Sequence, residues 1–173
     1  MIKPLIIAFF FISYLHPMEA VKNLDIDRFM GRWYVISIIP NLIEKYAQDA
    51  YDEYSLNQDG TVDISYHALK NGKDISINQK GTIIDDLDMS TWEISFIKPF
   101  IPFFKAPYKV IVLDKNYDYM VIGYPKNKYG WIMARSKDIG DKLYNNILQT
   151  LEEDFGYKQT RFVRVNHRLN INQ

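Results

Sequence analysis

Residues 61–68 read Thr-Val-Asp-Ile-Ser-Tyr-His-Ala. In an extended chain Val62, Ile64, Tyr66 and Ala68 share one face, and Thr61, Asp63, Ser65 and His67 share the other. This two-residue period belongs to a strand with one side in a core. Asn57-Gln58-Asp59-Gly60 before it and Asn71-Gly72 after it supply the left-handed or side-chain-supported backbone of tight turns, so the segment is the middle of a meander. Upstream, Arg32–Ile39 and Asp52–Leu56 read as strands, joined by a loop from Pro40 to about Asp49. Downstream come Ile75–Ile84, Thr91–Phe96, Tyr108–Asp114, Tyr119–Tyr124 and Gly130–Arg135. After these, Ile139, Leu143, Ile147, Leu148, Leu151 and Phe155 recur at helical spacing, with Ser136 as cap, Asp138 and Asp141 near the positive end and Gly156 as terminator. Phe162–Val165 adds a last strand or lies against the wall. The pattern implies an all-β fold: an eight-stranded antiparallel up-and-down barrel with one C-terminal α-helix packed outside.

Composition narrows the function classes. The chain has 173 residues, enough for one domain with a sizeable core. Its 21 basic and 21 acidic side chains balance, which argues against a nucleic-acid partner. It has no cysteine, so disulfides, cysteine-bound zinc, thiol nucleophiles and acylated cysteines are excluded. Aromatic residues reach 15%, a richness that suits strands or an aromatic-lined cavity. Residues 1–20 carry Lys3, an apolar run from Pro4 to Leu15 and a terminal Ala20, the layout of a secretory signal peptide too short to be a permanent span. The expected division is therefore a leader over 1–20 and one domain over 21–173.

Gly31-Arg32-Trp33-Tyr34, following Asp27-Arg28-Phe29, resembles the Gly-x-Trp motif of the lipocalins. Leu113-Asp114-Lys115-Asn116-Tyr117 resembles their second conserved region, although only the aspartate of its usual Thr-Asp-Tyr is kept. Tyr129-Gly130-Trp131-Ile132-Met133-Ala134-Arg135 resembles the third, with its closing arginine. All three stand in family order on strands already proposed from pattern. Ser95-Phe96-Ile97-Lys98-Pro99-Phe100 and Pro125 are most similar to the bacterial outer-membrane Blc type and its animal relative apolipoprotein D. The resemblance implies that Trp33 plugs a closed barrel end with Arg135 over its indole, that Gly31 lets the chain bend into the first strand, and that Asp114 holds a turn at the same end. It also implies a lipid carrier at the cell envelope. The Blc-type lipobox cysteine is missing, so the expected location is the periplasm, an outer-membrane association without an acyl anchor, or the exterior.

With Trp33 and Arg135 inward, alternation places Val35, Ser37 and Ile39 inward on the first strand, and Trp131 and Met133 on the eighth. The same parity gives Asp52, Tyr54 and Leu56, then Val62, Ile64 and Tyr66. Trp92, Ile94 and Phe96 follow, then Tyr108, Val110 and Val112, then Met120, Ile122 and Tyr124. All of these except Ser37, Asp52, Val62 and Val112 make up the expected ligand-binding set, for a small lipophilic ligand with its polar head near the rim. Two readings stay open: an apolar cup, or a barrel filled by these side chains as core. An acyl chain of about 14 methylenes at ~0.8 kcal/mol each gives roughly 11 kcal/mol gross. Association costs of ~4 kcal/mol or more reduce this to micromolar binding. Phe100–Phe104, in a loop placed at Lys98–Pro107, is either a membrane or partner contact or a lid over the cup.

Catalytic constellations are missing. His16 lies in the leader, His67 on the polar face of a strand and His167 near a C-terminus expected to fray, so they cannot meet in a triad or metal site. Asp85, Asp86 and Asp88 lack calcium-loop spacing. No catalytic residue, metal or cofactor is expected, and the protein is expected to be a monomer or weak dimer. The rival readings are a barrel enzyme acting on a lipophilic substrate, with Asp52 and Tyr54 or Tyr66 as its only material, and a carrier of haem or another pigment.

Overall fold

The computed structural model describes residues 18–168. A short helix α1 (Ile26–Phe29) leads into β1 (Gly31–Ile38), β2 (Gln48–Leu56), β3 (Val62–Lys70) and β4 (Lys73–Ile83). Then follow β5 (Thr91–Lys98), β6 (Lys105–Leu113), β7 (Tyr119–Gly123) and β8 (Gly130–Ala134). Helix α2 (Gly140–Phe155) and a two-residue strand β9 (Val163–Arg164) complete the chain. Every strand from β2 to β7 pairs antiparallel with the next, β8 pairs with β1, and β1 returns to β2. Closure leaves no strand of the ring of eight without a neighbour on each side. Where β1 parts from β2, β9 fills the gap, pairing Ser37 with Arg164 and Ile38 with Val163.

The apolar side chains divide into two bodies. One lies inside the barrel around Phe29, Trp33, Trp92 and Met120. The other lies between the wall and α2, where Ile36, Ile39, Ile111, Val121 and Ile132 meet Tyr144, Ile147, Leu148 and Leu151. The helix terminates as its sequence requires, with Gly156 left-handed at φ 69°. Its start is later than expected: Ser136 does not cap it, and the Asp138 carboxylate instead accepts from the Gly140 backbone N–H at 2.9 Å.

Strand parity fails at two bulges. Between Val35 and Ser37 the β1–β8 register shifts, so Ile38 points inward while Ser37 and Ile39 turn to the helix. Ser37 is hydrogen-bonded to the Tyr144 hydroxyl at 3.0 Å, and Ile39 packs with the α2 cluster, so neither faces the cup. A second shift between Val110 and Val112 moves Val112 to the helix side. An extra residue in one strand flips every later side chain.

Strand ends also move. β2 begins at Gln48, and β6 begins at Lys105, running through Pro107, which pairs with Glu93. β7 meets β6 only from Lys109 onward, so 105–108 has a free side where a proline is tolerated. The loop expected over Lys98–Pro107 shrinks to residues 99–104. The C-terminal segment does not fray at His167. Its ring is buried, with Nε2 2.9 Å from the Val35 carbonyl. The expected leader falls mostly on residues 1–17, outside the described ones. No described helix is long and apolar enough to cross a membrane.

Candidate functional site

The closed end is a stack of aromatic rings. Phe29 from α1 stands 5.5 Å from Trp33, 5.4 Å from Tyr54 and 5.3 Å from Trp92, measured between ring centroids. Both indoles are satisfied: Trp33 donates to the Phe29 carbonyl at 2.8 Å, and Trp92 to the Met89 carbonyl at 2.7 Å. Arg135 lies 3.8 Å over the Trp33 ring. Its guanidinium donates to the carbonyls of Arg28, Phe29, Met30 and Arg32 at 2.8–3.1 Å. Gly31, at φ 89°, turns the chain from α1 into β1, and a Cβ there would lie 3.5 Å from the arginine. At the same end the Asp114 carboxylate accepts from the Asn116 backbone N–H at 2.8 Å and fixes the β6–β7 turn. Gly81 leaves room for Trp92, whose ring would stand 3.1 Å from a Cβ.

Above this plug the barrel is open, with a cavity of about 400 Å³, within the range of small-ligand sites. Ten of the expected contacts line it. Tyr54, Ile64 and Tyr66 come from β2 and β3, Ile94 and Phe96 from β5, and Tyr108 from β6. Ile122, Tyr124, Trp131 and Met133 come from β7, β8 and the segment after β7. Six do not. Val35, Trp92, Val110 and Met120 are buried in the packed layer beneath, because α1 and the two indoles fill the lower barrel. Ile39 is carried to the helix by the β1 bulge. Leu56 lies past the last β1–β2 pair, Gly31 with Tyr54, and is 38% exposed.

The mouth is made by loops. Leu42 and Ile43 from the β1–β2 loop and Ile101 and Phe104 from the β5–β6 loop are exposed and also line the cavity. Phe104 is folded back edge-on against Phe96 at 5.3 Å, whereas Phe100 and Phe103 point to solvent.

The polar groups of the cup were only partly foreseen. Asp52, on β2, lines the cavity, and one of its oxygens accepts from the Tyr54 hydroxyl at 3.2 Å. That hydroxyl is 3.0 Å from the hydroxyl of Tyr108, whose ring stacks on Trp92 at 4.9 Å. The Asp52–Tyr54–Tyr108 group therefore rests directly on the plug. Burial, and then the like charge of Glu44, push the Asp52 carboxyl up to about 7. Burial likewise raises the hydroxyls of Tyr54, Tyr66 and Tyr108, keeping them neutral donors and acceptors.

Glu44 is the residue that sequence reasoning missed. Its loop folds inward because the Asn41 side-chain oxygen accepts from the backbone N–H of Ile43 and Glu44 at 2.9 Å each. Lys70 pins the outside, donating to the carbonyls of Leu42 and Ile43. The Glu44 carboxylate then accepts from the Trp131 indole at 2.9 Å and from the Asn41 amide. Burial raises it above the usual carboxylate range. The spacing Asn41-x-x-Glu44 resembles a capping box and could have signalled a local turn, though not its inward direction. Among the described residues no group of three histidine, cysteine or acidic side chains is placed to hold a metal ion.

A family model described as "Lipocalin-like domain" matches residues 24–167. Temperature-induced lipocalin-1 of Arabidopsis thaliana is 32% identical over 145 residues, covering 81% of this chain and 77% of the relative. Outer membrane lipoprotein Blc of Citrobacter freundii is 28% identical, covering 76% and 73%. Apolipoprotein D of Macaca fascicularis is 28% identical, covering 68% and 64%. Among solved structures, insecticyanin from the tobacco hornworm Manduca sexta superposes with a TM-score of 0.68 at 18% identity, covering 85% of this chain and 82% of that one.

Proposed function

The chain belongs to the lipocalin-like family, and from that premise we propose that it binds and carries single-chain amphiphilic lipids, the class that includes fatty acids and lysophospholipids. The observation that carries this reading is the cavity itself: about 400 Å³, walled by Ile64, Ile77, Ile94, Phe96 and Ile122, above a plugged floor. Apolar burial supplies the affinity, and release is by exchange with a membrane. The relatives named for an outer membrane lipoprotein and an apolipoprotein support a role in moving or scavenging lipid at the envelope of an exported protein. The exposed Phe100 and Phe103, with Leu42 across the mouth, suit a transient contact with the membrane that supplies the lipid.

Native mass spectrometry with lipid extraction, on protein purified without denaturation, tests this. The expected result is about one lipid per chain, recovered chemically unchanged. A clean apoprotein that also refuses a fluorescent single-chain lipid at micromolar concentration would sink the carrier reading. An enzyme reading has one observation in its favour, an Asp52 carboxyl held near neutrality beside Tyr54. Steady conversion of the recovered lipid by the purified protein would establish it.

A further inference from the structure

The side chains lining the cup include two carboxylates, Glu44 and Asp52, and no lysine, arginine or histidine. Lys70, whose charge acts on Glu44 from outside the cup, is turned to the carbonyls of Leu42 and Ile43. A fatty carboxylate drawn into this cup would add a third acid with no counter-charge. The unpaired polar atoms point the same way. Four buried side-chain atoms lack a hydrogen-bond partner among the described residues, and two of them, Asp52 Oδ1 and the Tyr66 hydroxyl, belong to residues lining the cavity. Tyr66 is only 5% exposed. A buried acceptor left unmade costs free energy that a donor from a ligand recovers. Glu44 already has its donors, so Asp52 is the acceptor that lacks one.

The arrangement is also oriented. Asp52 and the paired Tyr54 and Tyr108 hydroxyls rest on the plug, while Phe96, Ile101, Phe104, Leu42 and Ile43 line the way out. Tyr66 stands opposite Asp52 in the β2–β3 register, so its unpaired hydroxyl and the unpaired carboxylate oxygen come from neighbouring strands.

We propose that the cup selects an amphiphile whose head is a positively charged hydrogen-bond donor, a primary alkylammonium, held head-down between Asp52 and Tyr66 with its chain running to the mouth. This rests on the lipid-carrier reading and narrows it. It also reverses the orientation expected from sequence, in which the head sits at the rim. A quaternary ammonium brings the charge but no N–H for Asp52 Oδ1, and an alcohol brings a donor but no charge. A bound cation lowers the Asp52 carboxyl from its value near 7 and releases a proton.

Competition at pH 8 among four twelve-carbon probes, each below its micelle threshold, tests the proposal. The probes are dodecylamine, dodecanol, dodecyltrimethylammonium and dodecanoate. Dodecylamine is expected to bind at least tenfold more tightly than each of the others. In Asp52→Asn its advantage over dodecanol falls to threefold or less, and Tyr66→Phe, which keeps the ring, weakens it in the same direction. Dodecanoate binding as tightly as the amine overturns the proposal. So does an amine-to-alcohol ratio unchanged in a folded Asp52→Asn or Tyr66→Phe protein. Dodecanol binding without amine preference refutes the head-group proposal and leaves the carrier standing. If none of the four binds, the carrier reading falls as well.

Discussion

The two ends of the barrel are built from the same residue types and treat them in opposite ways. At the closed end, Trp33 and Trp92 each give their indole N–H to a backbone carbonyl, and Arg135 satisfies four carbonyls at once. At the open end, Leu42 and Phe103 stand 93% and 103% exposed, and in the cup between the two ends Asp52 Oδ1 and the Tyr66 hydroxyl are buried without partners among the described residues. An aromatic side chain with a donor is core where the backbone offers it a carbonyl, and site where it does not. The closed end thus holds the fold while the open end keeps capacity for something else. Substitutions at the two ends should separate stability from binding.

The sharpest break comes from the plug. Trp33→Ala removes a fully buried ring that packs on Phe29 and carries Arg135, and should cost about 3–5 kcal/mol in denaturant unfolding. A loss below about 1 kcal/mol would mean that the floor is not what holds the barrel. Next is Arg135→Ala, which takes the guanidinium from the carbonyls of Arg28, Met30 and Arg32 at the α1–β1 corner, while the Phe29 carbonyl keeps the Trp33 indole, and should cost about 2–3 kcal/mol. Arg135→Lys should recover only part of this, since an ammonium cannot reproduce the planar fork over the indole. Full recovery by lysine would show that charge alone matters there.

The closed end was largely readable from sequence and the open end was not, for a physical reason. Gly31, Trp33, Asp114 and Arg135 act through local backbone turns and a stacked pair, and such interactions leave fixed residue types at fixed spacing. The alternation of Thr61–Ala68 likewise survives because β3 runs without a bulge, from Val62 to Lys70 opposite β4. A bulge has no residue signature, so the flips at Ser37, Ile39 and Val112 stayed hidden. Glu44 was hidden more deeply. Its inward turn depends on Asn41, on Lys70 across the sheet and on an indole 87 positions away in the chain. Val35, Trp92, Val110 and Met120 had the right parity and the wrong height, since strand alternation gives the face but not the depth to which α1 fills the barrel.

Asp52 sharpens the comparison because there the site works against the fold. Its carboxyl is held up to about 7, with Glu44 on the β1–β2 loop as the facing acid and the neutral hydroxyls of Tyr54, Tyr66 and Tyr108 around it. In the unfolded chain an aspartate titrates near 3.9. The folded protein therefore binds this proton more tightly, and the resulting stability is complete below about pH 4 and lost as pH rises through 7. Asp52→Asn removes the titration, so the variant should match its parent near pH 4 and exceed it at pH 8. A full shift of this size corresponds to about 4 kcal/mol as an upper bound, and the effective dielectric of a protein site reduces the expected difference to roughly 2 kcal/mol. A variant no more stable at pH 8 than at pH 4, relative to its parent, would show that the carboxylate is not strained by its site.

The smallest effect on stability belongs to the mouth, where its absence is informative. Phe103 is fully exposed, so Phe103→Ser should change unfolding by less than about 0.5 kcal/mol. Sedimentation with neutral phosphatidylcholine vesicles reads what the fold does not need from that ring. If the rim is the membrane contact, the variant should sediment several-fold less than its parent while Phe104→Ser, whose ring packs on Phe96, should disturb the lining as well as the rim. Equal sedimentation of Phe103→Ser and parent would remove the membrane from the account. The exposed phenylalanines would then act within the molecule, as the outer part of a lid over the cup.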